Sequence, residues 1–307
     1  MKLWTIMAGT AAATLALLGP TLSAQQTAPK PQTTEATPVH RMAKPALWKV
    51  ADKDTTIYLF GTIHVLPEGI NWYHGKLATA FEKSGELVTE LPDIPEGDIL
   101  TATMRHASLP PGQSLRDQFT PEQRTKYETA MKTLGLPVAS FDGYKPWFAG
   151  MTFAVLPLMK AGFSLDNGVE AQLGKRNKAL GRPQIGLETM DFQLGLFSGL
   201  PNDAQTQFLF EVIDGMPQAE VEVRKMVDAW AKGDAEMLAA SLNAQTMGPA
   251  LYETLLTNRN RNWAAWIDKR LDKPGVVFIA VGAGHLGGKD SVQAFLAKRK
   301  IKSARVQ

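Results

Sequence analysis

The chain has 307 residues, with 33 Lys and Arg against 30 Asp and Glu, for a formal charge of +3. That near balance gives no electrostatic means of capturing nucleic acid, and a chain of this length buries a sizeable core unaided. There is no cysteine, which excludes disulfides, thiolate zinc sites, a cysteine nucleophile and a cysteine-linked lipid anchor.

Residues 1–24 have the pattern of a secretory signal. Lys2 supplies the positive start, Leu3 to Leu18 is apolar, Gly19-Pro20 breaks the stretch, and Leu22-Ser23-Ala24 suits cleavage before Gln25. The apolar stretch is short for a membrane span, which needs about 20 residues. Cleavage, a periplasmic or secreted location and no stable membrane insertion of the mature chain are therefore expected. Residues 25–45 carry Pro29, Pro31, Pro38 and Pro45 among Thr, Gln, Ala and Lys. Such a segment buries too little apolar surface to offset its ordering entropy and reads as a disordered linker, with His40 solvated inside it.

An α/β domain is expected over residues 46–307. Leu47–Val50 and Thr55–Phe60 are strands joined by the turn Asp52-Lys53-Asp54, a hairpin. A turn over Val65–Gly69 precedes a helix over Trp72–Lys83, and Glu86–Leu91 is a further strand stopped by Pro92. Residues 95–272 form a largely helical insertion. Within it, Thr120-Pro121-Glu122-Gln123 opens a helix with a capping box. Pro146–Ala161 is a buried helix, and helices are expected at Val169–Leu180, Asp203–Val212, Gln218–Ala231 and Thr246–Leu271. Gly275–Val281 is a continuous apolar strand buried on both faces, followed by a helix from Asp290 to about Lys300 and a short strand within Ile301–Val306. The segments TTIYLF-GTIHV and GVVFIA-VGAGHL are alike, each an apolar strand followed by Gly-x-x-His. The expected fold is a mixed central sheet built from two degenerate β-α halves, with the helical middle forming a cap.

Glycine at a strand end permits a sharp turn, and the histidine three residues on projects from it. In open α/β sheets, ligands bind beyond the carboxyl ends of the strands. Two such turns on neighbouring strands would bring His64 and His285 face to face. Neutral imidazoles so held are good ligands for zinc, manganese or cobalt, and Glu90, at the end of its strand, would complete a three-ligand site with an open position. Glu90 either binds the ion or takes the proton of a metal-bound water, whose pKa falls to about 7. Glu188 is read either as a member of this site or as a cap of the helix starting near Thr189. Arg259 is read as a solvated helix charge or as a group that stabilises an oxyanion or holds a substrate carboxylate. His74 and His106 read as surface or capping residues.

Gly61-Thr62-Ile63-His64-Val65, Glu90, Gly186-Leu187-Glu188-Thr189 with Gln193, Arg259-Asn260 with Trp263-Ala264, and Gly282-Ala283-Gly284-His285-Leu286 stand in one order over residues 46–300. Together they resemble the TraB/PrgY/GumN family, which includes the animal Tiki proteins. The resemblance implies a fold related to the erythromycin-esterase and ChaN-like proteins and a metal-dependent hydrolase centre. Tiki members are described as metalloproteases using manganese or cobalt, and bacterial and plasmid members are tied to blocking peptide pheromones. Carried over residue by residue, His64, His285 and Glu90 become ligands or catalysts, and Glu188 and Arg259 supporting site residues. Where the family often has Gly-Ile-Asp, this chain has Gly168-Val169-Glu170, so no role is carried to that acid. The expected activity is a peptidase acting on peptides outside the cytoplasm, with a divalent ion (manganese, cobalt or zinc) and a peptide or small-molecule substrate. Two alternatives stand beside it. One is a non-catalytic protein that binds a metal, a cofactor or a peptide, and the other is a metal-free, esterase-like hydrolase with a histidine base.

Overall fold

The computed structural model describes residues 41–241 and 249–307. The signal-like segment, linker residues 25–40 and the start of the helix expected from Thr246 lie outside the described residues. Six strands form one mixed sheet: β1 Leu47–Ala51, β2 Thr55–Thr62, β3 Glu86–Thr89, β4 Gln184–Gly186, β5 Gly275–Gly282 and β6 Ser303–Arg305, in spatial order β6-β1-β2-β5-β3-β4. β1 runs antiparallel to both β2 and β6, whereas β2, β5, β3 and β4 are parallel. The β1–β2 turn forms because Asp52 Oδ1 accepts from the backbone N–H groups of Asp54 and Thr55 at 3.1 and 2.8 Å, the local bonding that makes aspartate a turn former. β4 makes an edge strand of the short apolar stretch before Glu188.

Helices fill the connections. Between β2 and β3 lies α1 Gly75–Lys83; between β3 and β4 lie α2 Glu96–Ala107, α3 Pro121–Thr133, α4 Pro146–Lys160 and α5 Val169–Ala179. Then come α6 Met190–Ser198, α7 Asn202–Gly215, α8 Ala219–Ala231, α9 Ala235–Ser241, α10 Pro249–Tyr252 and α11 Asn258–Leu271, which a π turn at Glu253–Thr257 joins to α10, and after β5 comes α12 Val292–Lys298. The capping box of α3 is formed: Thr120 Oγ1 accepts from the N–H of Gln123, and Gln123 Oε1 from that of Thr120. α1 starts three residues later than the periodicity suggests. Trp72, though buried, belongs to the approach to that helix, where its ring stacks on Phe60.

Alternation along β5 divides the interior in two. Phe278 and Ala280 join Leu47, Phe60 and Leu87 in a large core shared with α1 and the middle helices, including nearly all of α4. Val277, Ile279 and Val281 face the other way, onto Trp263, Ala264 and Ile267 of α11 and Val292, Phe295 and Leu296 of α12. The helical middle thus shares one continuous core with a whole sheet face. Its apolar helix α4 is buried there, and no described helix is long and apolar enough to cross a membrane.

Residues 41–45, expected to belong to the linker, are part of the fold. Arg41–Met42 pairs in parallel with Ile70–Asn71, Ala43 is fully buried, and the Lys44 N–H donates to the Ala231 carbonyl at 2.7 Å. Residues 41–45 thus form a strap across the fold, held by the buried Ala43, backbone hydrogen bonds, the Arg41–Asp228 ion pair and side-chain bonds from His74 and Gln307.

Candidate active site at the strand ends

β2 and β5 are neighbours, with Gly61 opposite Val281 and Thr62 opposite Gly282. Their two Gly-x-x-His turns therefore leave the same sheet rim, although their histidines are more than two hundred positions apart in the chain. The turns touch: a Cβ on Gly61 would lie 3.0 Å from Ala283 Cα. Trp230 fixes the first turn from within the core by donating Nε1–H to the Gly61 carbonyl at 2.8 Å.

The second turn carries a buried polar network. Asn260 Nδ2 is committed to the Asp290 carbonyl at 2.8 Å, so its Oδ1 accepts from His285 Nδ1–H at 2.6 Å. The neutral ring then presents the Nε2 lone pair, which accepts from Arg259 Nη1 at 3.3 Å. Burial, then the charges of Arg259 and His64, hold the His285 pKa well below 6.5 against the opposing pull of Glu188. The ring also packs on Trp263, with centroids 4.4 Å apart.

Arg259, 3% exposed, is the hub of this network. Its Nε and Nη2 form a fork on Glu188, each at 2.8 Å; Nη2 also donates to Glu90 Oε2 at 2.6 Å, and Nη1 to the Leu255 carbonyl at 3.1 Å. Burial alone would lower its pKa, but Glu90 and Glu188 outweigh that and raise it. With the His285 contact, all five guanidinium N–H groups are engaged. Arg259 therefore has no donor left for an oxyanion or a substrate carboxylate, and its place in the network is that of a counter-ion that positions two carboxylates. Glu188 further accepts from Trp263 Nε1 and Gln193 Nε2, each at 2.9 Å. It does not cap α6; Thr189 does, accepting from the Phe192 N–H. Glu90 Oε1 accepts from the Gly282 N–H at 2.8 Å and Oε2 from Gln193 at 3.1 Å. A Cβ on Gly282 would come within 3.1 Å of Glu90 Oε1, so glycine there allows the carboxylate its seat.

His64 has a different partner. Its Nδ1 lies 3.1 Å from Glu170 Oε2, and Thr62 donates its hydroxyl to Glu170 Oε1. Glu170 sits in the first turn of α5, which docks directly on the histidine turn: the Val169 N–H donates to the Ile63 carbonyl at 3.0 Å, and Gly168 packs on the His64 backbone. Glu170, Thr62 and Asn260 are the site residues that residue patterning missed. The family's acid at the Gly168-Val169-Glu170 position was the available signal, and the extra methylene of glutamate does not keep it from His64.

A cavity of about 520 Å³ opens here, lined by His64, Glu170, Glu90 and Gln193 among others, a volume ordinary for small-molecule and peptide sites. Arg259, Glu188 and His285 are not among its lining residues. The two histidine turns thus share a rim, but His64 lines the cavity whereas His285 is seated in the buried network. A divalent ion between His285 and Glu90 would stand beside the guanidinium that already occupies both, and His64 with Glu170 offers two donors where catalytic centres use three protein ligands. Among the described residues, no group of three His, Asp or Glu side chains is placed to hold a metal ion. The donor set, as arranged, fits a buried guanidinium rather than a metal. His74 and His106 have structural partners: His74 Nε2 meets the Ala43 carbonyl at 2.9 Å, and His106 bridges Ser198 and Asp191 at 2.8 and 3.0 Å, tying α2 to α6.

This geometry defines a class: an α/β protein whose polar centre is assembled where parallel strands end, from paired Gly-x-x-His turns and a buried Glu–Arg–Glu cluster. The chain belongs to the TraB/PrgY/gumN family, whose profile matches residues 46–305. It is 24% identical over 240 residues to YbaP of Escherichia coli K12, described as uncharacterized, covering 78% of this chain and 87% of that protein. It is 23% identical over 270 residues to an uncharacterized protein of Treponema pallidum, covering 83% and 80% of the two chains. No solved structure matches.

Proposed function

We propose that this protein is a hydrolase acting outside the cytoplasm on peptides, with His64 as general base and Glu170 as the group that orients it. The observation that carries this reading is the His64–Glu170 contact on the wall of a cavity that Glu90 also lines. The Glu170 carboxylate, 3.1 Å from Nδ1, favours the proton on that nitrogen by its charge and leaves the basic lone pair on the buried Nε2, the nitrogen that would take a proton from an attacking water. Glu90, held by Gly282, Gln193 and Arg259, is the second acid–base group, and its fixed position avoids reorganisation during the reaction. The signal-like start of the sequence supports an extracytoplasmic location.

The test is a digest of a broad peptide library by wild type and by His64→Ala, Glu170→Gln and Glu90→Gln, each run after chelation and again with added manganese, cobalt or zinc. Cleavage that survives chelation and falls by about 10²-fold or more in the variants is the expected result. Cleavage that vanishes on chelation and returns with one ion would replace the histidine base by metal chemistry. Absence of cleavage under every condition would leave a binding protein.

A further inference from the structure

One face of α5 forms a long wall of the cavity. Glu170, Ala171, Gly174, Lys175 and Lys178 line it, a spacing that puts them on a single helical stripe. From Glu170 to Lys178 the stripe runs roughly 12 Å at 1.5 Å per residue. The His64–Glu170 pair stands at its start. Leu91, Ile94, Ile99 and Met190 supply apolar lining. At the far end Lys175 pairs with Asp166 at 3.0 Å and Lys178 with Asp93 at 4.0 Å, all four side chains exposed.

Gly174 has no structural reason to be glycine. Its φ is not in the left-handed region, and an added Cβ would meet nothing nearer than Gln184 Oε1 at 3.6 Å, an ordinary contact. Two other glycines beside the site differ: a Cβ on Gly168 would fall 2.1 Å from the His64 carbonyl oxygen, and one on Gly186 2.3 Å from Pro92 Cδ. Glycine inside a helix weakens it, so what the bare position at 174 supplies is width in the cleft.

We infer that the cleft binds an extended apolar peptide segment of about three to four residues, the number that spans roughly 12 Å at 3.3 Å each, and that Gly174 sets its size limit. Asp166 and Asp93 stand beside the two exposed lysines and balance their charge, so the far end carries no net positive charge to draw an acidic segment, and the apolar walls penalise a charged side chain by desolvation. The inference rests on the hydrolase reading only in taking the His64 end as the place of the bond to be cut.

Binding is measured by fluorescence anisotropy with a labelled five-residue peptide of alternating leucine and alanine, its two-residue truncation, and a version with glutamate in place of leucine. Wild type is expected to bind the long apolar peptide about tenfold or more tightly than either of the others. Gly174→Leu is expected to reduce that affinity about tenfold or more, while the melting temperature holds or rises because leucine is the better helix former. Gly174→Ala gives a smaller step in the same direction. Equal binding by wild type and Gly174→Leu, or wild-type indifference to length and apolarity, overturns the inference. Selective binding with no cleavage sinks the hydrolase reading and leaves this one standing. Cleavage with a length preference that Gly174→Leu leaves intact does the reverse.

Discussion

The sequence leaves Arg259 either a solvated helix charge or a group that meets substrate; in the structure it is buried and every one of its donors is taken by the protein. It neutralises carboxylates that are themselves buried, Glu90 at 5% exposure and Glu188 beside it. Removing one partner of such a cluster leaves uncompensated charge, so Arg259→Met should lower stability by about 3–5 kcal/mol, read by urea unfolding. The loss should shrink when Glu188→Gln is added. His285 gives a pH signature. Because its pKa is well below 6.5 when folded, the unfolded chain binds a proton below that value which the folded chain refuses. The stability that depends on the neutral ring is complete above 6.5 and is lost as pH falls toward the folded value. In urea titrations from about pH 7.5 to about pH 5, the stability difference between wild type and His285→Gln should therefore narrow. A constant difference would show that the ring is not kept neutral by the fold.

At the scale of elements, what was legible in the sequence was whatever local chemistry decides. The β1–β2 hairpin, the capping box of α3 and the double-sided strand β5 follow from short patterns whose causes lie within a few residues, and the two Gly-x-x-His turns stood out as a repeat although their pairing joins distant segments. Glu170 was not legible from residue patterning, because its partner His64 is contributed by another element and nothing in the first turn of α5 announces that contact. The partners of the two rings were equally invisible: the repeat put both turns on one rim, but which side chain each ring meets depends on α5 and α11. The docking of α5 on the first turn can be tested directly. Gly168→Ala places a methyl group against the His64 carbonyl and should move the imidazole off Glu170. Hydrolysis is expected to fall about 10²-fold, the cost of misplacing a catalytic group by about 1 Å, with the circular dichroism spectrum unchanged. Undiminished turnover would mean that the His64–Glu170 contact is not used.

Across the whole molecule, two segments far apart in the chain close the structure. The strap at residues 41–45 contributes backbone hydrogen bonds from Arg41 to Gly69, Ala43 to Asn71 and Lys44 to Ala231. A chain beginning at residue 46 should be less stable by roughly 2–4 kcal/mol, at about 1 kcal/mol for each bond plus the lost alanine contact, as measured by thermal or urea unfolding. The second segment, β5, is the last of the four parallel strands to be made, yet it lies between β2 and β3. A ribosome must therefore finish almost the entire polypeptide before the middle of the sheet exists. Until then neither hydrophobic layer has its shared wall, and the two histidine turns have nothing to meet. A chain released at residue 274 should stay sensitive to protease throughout. The same order of manufacture makes closure of the sheet a late event, complete only once the final stretch of the chain is available to enter its middle.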